Sequence, residues 1–297
     1  MKPAPFNYYS PTSVAEALEY VAQLGYDGKV LAGGQSLVPA MNFRMAQPPA
    51  LVDLNNVAEL FYIHSTNDGG VAIGTMTRDS SVEHDPLIKE RSPLIYEAMP
   101  NIAHPQIRNR GTFGGAIAHA DPAGQMPALV IALDAKCRVR SKTKERWVAA
   151  EEFLTGPFTT ALEPDEMLVE IVLPPLPERS GSCYRHVARQ RGATSLVGVS
   201  TVVTLDKKGL CQQARVVLSN VSETPLLARQ AVQLLVGKTP SEEAIRAAAE
   251  IASKHEIDPG SDIHACGQYR RHLANVLVRQ TLTEAFERAF KTSEVWR

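Results

Sequence analysis

The chain has 297 residues, with 31 basic and 32 acidic side chains and a formal net charge of −1 at pH 7. Hydrophobic residues make up 44% and charged residues 21%, a balance typical of a globular protein with a sizeable core. The charge gives no support for binding to nucleic acid or to an anionic membrane, since both require a basic excess. The sequence shows no signal segment and no stretch near the ~20 apolar residues of a membrane span, so we expect a cytoplasmic protein.

The cysteines are widely scattered, which limits the metal chemistry of the chain. They are Cys137, Cys183, Cys211 and Cys266, and no pair has C-x-x-C spacing. A zinc or iron–sulfur site built by this chain alone is therefore not expected, and we interpret the four as isolated reduced thiols.

The first 56 residues predict a small β/α unit. Hydrophobic periodicity predicts helix, strand, helix and strand in that order, over residues 14–24, 29–31, 37–44 and 51–54. Thr12 or Ser13 is the expected cap of the first helix, and Gly25 is its expected end.

A second unit is predicted over residues 57–177. Its predicted strands are residues 71–74, 137–140, 147–148 and 167–173, and its predicted helices are residues 79–84, 94–103 and 127–133. The run Pro174-Pro175-Leu176-Pro177 cannot continue a strand, so it is the clearest domain boundary.

Strands followed by helices characterise the last unit, residues 178–297. The predicted strands are residues 184–188, 195–205 and 214–218, with a hairpin turn at residues 206–209, and the predicted helices are residues 226–235, 241–254 and 269–290. This order favours an antiparallel sheet with helices on one face. The whole chain is therefore expected to have an α+β fold.

Two glycine clusters carry most of the functional information. The first glycine loop is Ala32-Gly33-Gly34-Gln35-Ser36, and the second is Gly111-Thr112-Phe113-Gly114-Gly115-Ala116. Glycine lets the backbone approach a ligand closely, and successive N–H groups in such turns can bind an anion. Neither loop has the spacing of a P-loop or of a Rossmann fingerprint. Each loop alone is also compatible with an ordinary tight turn.

Together with their flanks, these loops resemble a known family. The segments Ala-Gly-Gly-Gln-Ser, Arg-Asn-Arg-Gly-Thr-Phe-Gly-Gly and Ala-His-Ala-Asp-Pro resemble the FAD-binding subunit of the molybdenum hydroxylases, such as aerobic carbon monoxide dehydrogenase and xanthine dehydrogenase. Segments 51–54, 73–77, 166–171 and 262–271 extend the resemblance over nearly the whole chain. It implies a two-part FAD-binding domain of the vanillyl-alcohol-oxidase/PCMH type over residues 1–177, with subdomains 1–56 and 57–177, and a C-terminal α+β domain.

The resemblance also implies a non-covalent FAD site. The two loops would line the pyrophosphate and ribityl region, residues 29–31 would lie near the adenine, residues 118–122 would follow the ribityl chain, and residues 168–171 would approach the flavin ring. The expected cofactor-binding residues are Lys29, Val30, Leu31, Ala32, Gly33, Gly34, Gln35, Ser36, Leu37, Gly111, Thr112, Phe113, Gly114, Gly115, Ala116, Ala118, His119, Asp121, Gln125 and Leu168. No catalytic residue and no metal ligand is expected on this chain.

The sequence departs from the family pattern at several positions. Relatives commonly have asparagine or aspartate where this chain has Ala116, and often aspartate where it has Gln125. Where relatives such as carbon monoxide dehydrogenase have Gly-Asp-aromatic-Ala, this chain has Gly192-Ala193-Thr194-Ser195. The aromatic covers one face of the flavin in those relatives, so its loss is expected to bear on flavin affinity and acceptor choice.

Other polar residues have two interpretations. Arg108 and Arg110 suit either a phosphate or partner contact, or a solvated basic turn. His119 suits either a flavin neighbour or a satisfied loop residue, whereas His84, His104 and His186 are expected to be structural. The segment 269–271 is expected to dock the last helix.

Three functional hypotheses follow. The leading one is an electron-transfer subunit that carries FAD, with a large molybdopterin subunit and a small [2Fe-2S] subunit as partners in a dimer of heterotrimers. The second is a self-sufficient flavin oxidoreductase, which requires a catalytic acid or base near flavin N5. The third is an assembly module that has lost FAD, suggested by Ala116, Ala193 and Thr194.

Overall fold

The computed structural model describes residues 1–294, with side chains described up to Thr292. The predicted C-terminal unit therefore extends three residues, 295–297, beyond the described part. Within residues 1–294 the strands form sheets of three, five, four and two strands, and helices pack on these sheets. This architecture confirms the predicted α+β fold.

The first part of the chain is a small parallel sheet with two helices. Its elements are β1 (Asn7–Tyr9), α1 (Val14–Leu24), β2 (Gly28–Leu31), α2 (Leu37–Asn42) and β3 (Ala50–Asp53). The sheet order is β1-β3-β2, and the Ser13 hydroxyl caps α1 by accepting from the N–H of Glu16 at 3.2 Å. Strand β1 was not predicted, because three mostly exposed residues carry no hydrophobic pattern.

The second part contains a five-stranded antiparallel sheet of order β4-β5-β10-β6-β7, and its helices pack near one another. Its strands are β4 (Ile63–Ser65), β5 (Val71–Gly74), β6 (Lys136–Arg140), β7 (Glu145–Ala149), β8 (Leu154–Gly156), β9 (Thr159–Thr160) and β10 (Met167–Leu173). Its helices are α3 (Asp79–His84), α4 (Pro86–Arg91), α5 (Pro93–Ala98), α6 (Pro105–Arg108), α7 (Phe113–His119), α8 (Gln125–Ala132) and α9 (Ala150–Phe153).

One helix of this part is shorter than predicted. The helix expected over residues 94–103 ends at Ala98, and a 3-10 turn at Met99–Asn101 follows it. Pro100 explains the change, because proline has no N–H for the helical bond and its ring crowds the preceding turn.

The third part is a four-stranded antiparallel sheet with helices on one face. Its elements are β11 (Ser180–Ala188), β12 (Ser195–Leu205), β13 (Cys211–Ser219), β14 (Leu226–Leu227), α10 (Arg229–Gln233), α11 (Glu242–Ile251) and α12 (Gly267–Glu294). The predicted hairpin turn is confirmed, since Asp206 Oδ1 accepts from the N–H groups of Lys208 and Leu210 and Gly209 has a φ of 81°.

The prediction of one helix over residues 226–235 is wrong. Leu226 and Leu227 pair with Leu218 and Val217 of β13, and the helix covers only Arg229–Gln233. Main-chain pairing at the edge of the sheet outweighs the helical spacing of the apolar side chains here.

The second and third parts share one hydrophobic core. Every residue of α8 is buried, and the helix contacts β12 and β13. Arg215 of β13 donates to the carbonyl of Ile131 at 2.8 Å, and the N–H of Asn220 donates to the carbonyl of Pro122 at 2.9 Å. The two parts are therefore joined by both apolar packing and main-chain hydrogen bonds.

Two further features of the structure concern its cysteines and its helices. Cys137, Cys183 and Cys211 are buried and Cys266 is exposed, and all four are free thiols. Among residues 1–294, no helix combines the length and the apolar character that a bilayer crossing requires.

Replacement of Gly181 by alanine is expected to destabilise the third part. A Cβ atom at Gly181 would lie 2.0 Å from the carbonyl oxygen of Ala285, so the substitution would force α12 away from β11. We expect the free energy of unfolding to fall by about 1–3 kcal/mol, as for overpacked cores. Chemical denaturation measures this change, and Gly260→Ala is the control because nothing lies within 4 Å of its Cβ position. Equal stabilities of the two variants would contradict the packing.

Candidate functional site

The two glycine loops meet through their backbones. A Cβ atom at Gly33 would lie 2.3 Å from the carbonyl oxygen of Arg110 and 2.7 Å from Cα of Gly111. Gly34 has a φ of 73°, a conformation that other residues rarely adopt. Glycine is therefore required at both positions, and the two loops, far apart in the sequence, lie in direct contact.

The second glycine loop is held by the end of β5. Cβ of a residue at 114 would lie 2.6 Å from Cα of Thr75, and the N–H of Phe113 donates to the carbonyl of Thr77 at 2.9 Å. The hydroxyl of Thr112 accepts from the N–H of Gly115 at 3.1 Å, which caps α7. The close approach of the loop to Thr75 explains why a glycine stands at position 114.

A pair of side chains that sequence analysis missed ties the loops together. Asn55 donates to the carbonyl of Ala32 at 3.0 Å, and Arg78 donates both to Oδ1 of Asn55 and to the carbonyl of Arg110, each at 2.6 Å. We call this pair the Asn55–Arg78 bridge. Its only sequence signal is that each residue directly follows a segment with family resemblance, 51–54 or 73–77.

A cavity of about 330 Å³ opens beside the first glycine loop. Its lining combines loop backbone, amide and guanidinium donors, one carboxylate and a few aliphatic side chains: Leu31, Ala32, Gly33, Gly34, Gln35, Val38, Pro39, Asp53, Asn55 and Arg110. A cavity of this size is within the range of small-molecule sites. The polar donors can meet phosphate oxygens while the aliphatic side chains contact an apolar ring.

The carboxylate in this cavity is already fully engaged. Asp53 accepts from the Tyr8 hydroxyl at 2.5 Å and from the backbone N–H of Asn55 at 2.9 Å. The hydrogen bond to Asp53 raises the pKa of Tyr8, because loss of the phenolic proton would place two negative charges together. Asp53 therefore supports the wall of the cavity and positions Asn55.

Several of the predicted cofactor-binding side chains face the protein core. Val30 packs against the core shared by α1 and β3, and Phe113 and Leu168 are buried in the core of the second part. Gln125 is also buried, at the start of α8. The side chains of Phe113 and Leu168 have structural roles, and any contact of these two residues with a ligand would have to come from their backbones.

The segment after α7 is ordered by local contacts. Asp121 Oδ1 accepts from the N–H of Ala123 at 2.9 Å, and the ring centroid of His119 lies 5.1 Å from that of Phe158. Burial lowers the pKa of His119, so this imidazole is neutral at pH 7. A neutral ring can donate or accept one hydrogen bond but adds no positive charge to the site.

The two arginines beside the second loop differ. Arg108 is buried and forms two hydrogen bonds to Glu83, at 2.7 and 2.9 Å, so neither the phosphate contact nor the solvated turn that the sequence suggested applies to it. Arg110 lines the cavity. Sequence spacing alone cannot distinguish the two arginines, because the difference depends on Glu83, 25 residues before Arg108.

Three other polar residues that the sequence singled out, His84, His186 and Arg270, have structural partners. His84 Nδ1 lies 2.7 Å from the carbonyl of Ser80, and His186 Nδ1 lies 3.0 Å from the Ser195 hydroxyl. Arg270 bonds Asp262 at 2.5 Å and the carbonyl of Asn220 at 3.2 Å, which docks the first turn of α12 as predicted.

Comparisons with known proteins decide the family. Residues 4–176 match the family model described as FAD binding domain in molybdopterin dehydrogenase, and residues 182–285 match CO dehydrogenase flavoprotein C-terminal domain. The chain belongs to the FAD-binding medium subunits of the molybdenum hydroxylases. It is an oxidoreductase subunit of the kind that the sequence resemblance predicted.

Relatives match the chain over almost its full length. It is 40% identical to the 6-hydroxypseudooxynicotine dehydrogenase complex subunit alpha of Paenarthrobacter nicotinovorans, covering 99% of each chain. It is 37% identical to the carbon monoxide dehydrogenase medium chain of Hydrogenophaga pseudoflava, covering 97% of this chain and 99% of that one.

Solved structures have the same fold. Carbon monoxide dehydrogenase from Hydrogenophaga pseudoflava, which lacks the Mo-pyranopterin moiety, aligns with a TM-score of 0.93 and 38% identity over 97% of this chain and 99% of that one. Quinoline 2-oxidoreductase from Pseudomonas putida 86 aligns with a TM-score of 0.91 and 34% identity, again over 97% and 99%.

The residues present fit the cofactor of this family. The glycines at positions 33 and 34 let the first loop pack on the second loop and turn beside the cavity, and a Cβ at Gly33 would collide with Arg110 and Gly111. Arg110 and Gln35 add donors for phosphate oxygens around the same cavity. Nothing in this donor set conflicts with a diphosphate.

Replacement of Asn55 by alanine is expected to separate the two loops. It removes the hydrogen bonds to Ala32 and from Arg78, and it leaves buried polar groups without partners. We expect a loss of about 1–2 kcal/mol in the free energy of unfolding and FAD binding weaker by about tenfold. Fluorescence titration with FAD and chemical denaturation measure the two effects.

The neighbouring Asn56→Ala variant is the control. Asn56 is exposed and bonds only the Ser10 hydroxyl among the described residues, at 2.9 Å. If Asn56→Ala weakens FAD binding as much as Asn55→Ala does, the Asn55–Arg78 bridge has no special role.

Proposed function

We propose that this chain is the FAD-carrying electron-transfer subunit of a molybdenum-containing hydroxylase or dehydrogenase. Electrons would arrive from a partner subunit with [2Fe-2S] clusters and leave to a final acceptor. When bound, FAD supplies chemistry that accepts electrons singly and releases them in pairs. The chain would bind and orient the cofactor, and a large partner subunit with molybdopterin would oxidise the substrate.

The observation that carries this proposal is the backbone contact between the two glycine loops. The loops come from different parts of the fold, and they meet where Gly33 touches Arg110 and Gly111. The Asn55–Arg78 bridge fixes their relative position, and polar groups of Gln35 and Arg110 line the cavity beside them. An ordinary tight turn would need neither the contact nor the bridge.

We propose specific roles for the cofactor-binding residues. Residues 32–36 with Leu37, and residues 111–116, would bind the pyrophosphate and ribityl region, and residues 29–31 would lie near the adenine. Ala118, His119 and Asp121 would follow the ribityl chain, and Leu168 would approach the flavin ring. The side chain of Gln125 is buried, so Gln125 would support the cofactor-binding residues from within the protein.

The segment 192–195, which departs from the family pattern, would form part of the surroundings of the flavin. A Cβ at Gly192 would lie 2.7 Å from the carbonyl oxygen of Ala103, so this segment packs on the second part. Thr194 is exposed there and Ser195 is buried. We propose that the absence of an aromatic side chain leaves one face of the flavin more open than in carbon monoxide dehydrogenase.

We also propose the domain boundaries of the chain and the assembly of the holoenzyme. The FAD-binding domain would comprise residues 1–177 with subdomains 1–56 and 57–177, and the C-terminal domain would begin at residue 178, after the proline run. The holoenzyme would be a cytoplasmic dimer of heterotrimers. The related subunits come from complexes named for carbon monoxide, caffeine and 6-hydroxypseudooxynicotine. We therefore propose that the substrate, which would bind the large subunit, differs from one complex to the next.

The absorbance spectrum of the purified chain from 300 to 550 nm, before and after FAD addition, tests cofactor binding. We expect flavin bands that remain with the chain after gel filtration. Gly33→Ala should lower FAD affinity by at least about tenfold, because its Cβ would push Arg110 and Gly111 away from the first loop. Gly156→Ala is the control, since its Cβ position has no neighbour closer than 3.7 Å.

Expression with the genes of its partner subunits separates the three hypotheses. Copurification with iron–sulfur and molybdenum subunits, and flavin bleaching by substrate only in the complex, would support the proposal. Bleaching of the lone chain by a small substrate would favour a self-sufficient oxidoreductase. A colourless chain that still binds the partners would favour the flavin-free assembly module.

A further inference from the structure

An acidic side chain lies behind the second glycine loop. Asp79 is at the first turn of α3, and its N–H donates to the carbonyl of Gly111 at 3.1 Å. Its carboxylate Oδ2 would lie 2.3 Å from a Cβ atom at Gly111. Gly111 is thus in contact with Gly33 of the first loop and also with Asp79.

The Asp79 carboxyl is almost completely buried. Its residue is 5% exposed, and Oδ1 has no hydrogen-bond partner within the described part of the chain. Buried polar groups without partners are rare and call for an explanation. An ionised carboxylate here would lack the hydrogen bonds that normally compensate burial.

The charged groups around Asp79 do not fully offset the cost of burying its ionised carboxylate. Arg78 and Glu83 act on it from its own helix, and Arg108 acts from α6. Arg108 is already paired with Glu83, and Arg78 is committed to the Asn55–Arg78 bridge. Helices α4 and α5 pack on α3, and they contribute buried apolar side chains such as Ile88 and Leu94 to the core of the second part. Burial therefore raises the pKa of Asp79 to about 7.

We propose that Asp79 is a positioning residue of the second glycine loop and that FAD binding beside this loop is coupled to uptake of a proton by its carboxyl. The inference rests on the proposed function, since it assumes that a diphosphate binds at the loops. A neutral Asp79 supports Gly111 without placing a negative charge behind the second glycine loop. An ionised Asp79 adds a negative charge behind a loop that must hold an anion.

Thermodynamic linkage gives the direction in which FAD affinity changes with pH. Negative phosphates near Asp79 favour its protonated form, so FAD-bound protein holds the proton to higher pH than the free protein does. By reciprocity, FAD affinity falls as the pH rises through the titration of Asp79 in the free protein. Asp79→Asn keeps the shape of the side chain but cannot ionise, so its FAD affinity should not follow this titration.

The test is the FAD dissociation constant of the full chain between about pH 6 and pH 8.5. We expect the wild type to bind FAD about tenfold more weakly at the upper limit, and Asp79→Asn to bind with little change. Asp165→Asn, which removes an exposed carboxylate in a turn, is the matched control and should retain the wild-type pH dependence. Calorimetry of the wild type in buffers with different ionisation enthalpies should show net proton uptake on FAD binding near neutral pH.

A measurement without FAD gives an independent readout. Because the pKa of Asp79 is raised in the folded state, its contribution to stability is complete below the unfolded pKa, near 4, and is lost as the pH rises through about 7. The melting temperature of Asp79→Asn should therefore exceed that of the wild type at pH 8 by more than at pH 5.

The possible outcomes are distinct. Tight but pH-independent FAD binding by the wild type, without proton uptake, would overturn the inference and leave the proposed function standing. An unchanged pH dependence in Asp79→Asn would assign the coupling to another group and would also overturn it. No FAD binding at any pH would overturn the proposed function and the inference with it.

Discussion

The site depends on one contact between two backbones, that of Gly33 with Arg110 and Gly111. Because no side chain fits between them, the position of each loop is set by the other and by the parts of the fold that carry them. The first part supplies one loop and the second part supplies the other. These parts share a core in which Val14, Leu18 and Val52 pack with Met76 and Val169. The packing of that core therefore decides whether the loops meet.

Polar side chains refine what the core brings together. The Asn55–Arg78 bridge binds a carbonyl on each loop, and Asp53 holds Asn55 through two of its donors. Each bond is individually modest, but together they leave the carbonyls of Ala32 and Arg110 satisfied. The donors that remain around the cavity are then available for a ligand.

Much of the fold followed from the sequence, because long elements have clear hydrophobic patterns. Strands β10 and β12 and helix α8 are mostly apolar and buried, and they lie where the pattern predicted. Errors occurred where tertiary contacts outweigh local pattern, as at Leu226 and Leu227, which pair with β13.

Only part of the candidate site could be predicted from the sequence. Both loops could be singled out because glycine allows the close backbone contacts of Gly33 and Gly114 and the φ of 73° at Gly34. The roles of Asn55, Arg78 and Asp79 were not visible, since each depends on residues more than twenty positions away. The distinction between Arg108 and Arg110 failed for the same reason. Hydrogen-bond partners distant in sequence leave no spacing signature.

Helix α8 bears on how such subunits can recombine during evolution. All eight of its residues are buried, although the sequence that encodes it belongs to the FAD-binding part, and one side of it is covered by the sheet of the C-terminal part. Exchange of C-terminal parts between paralogues would place a foreign sheet on this helix. Chimeric subunits should therefore be viable only when α8 is inherited together with β12 and β13.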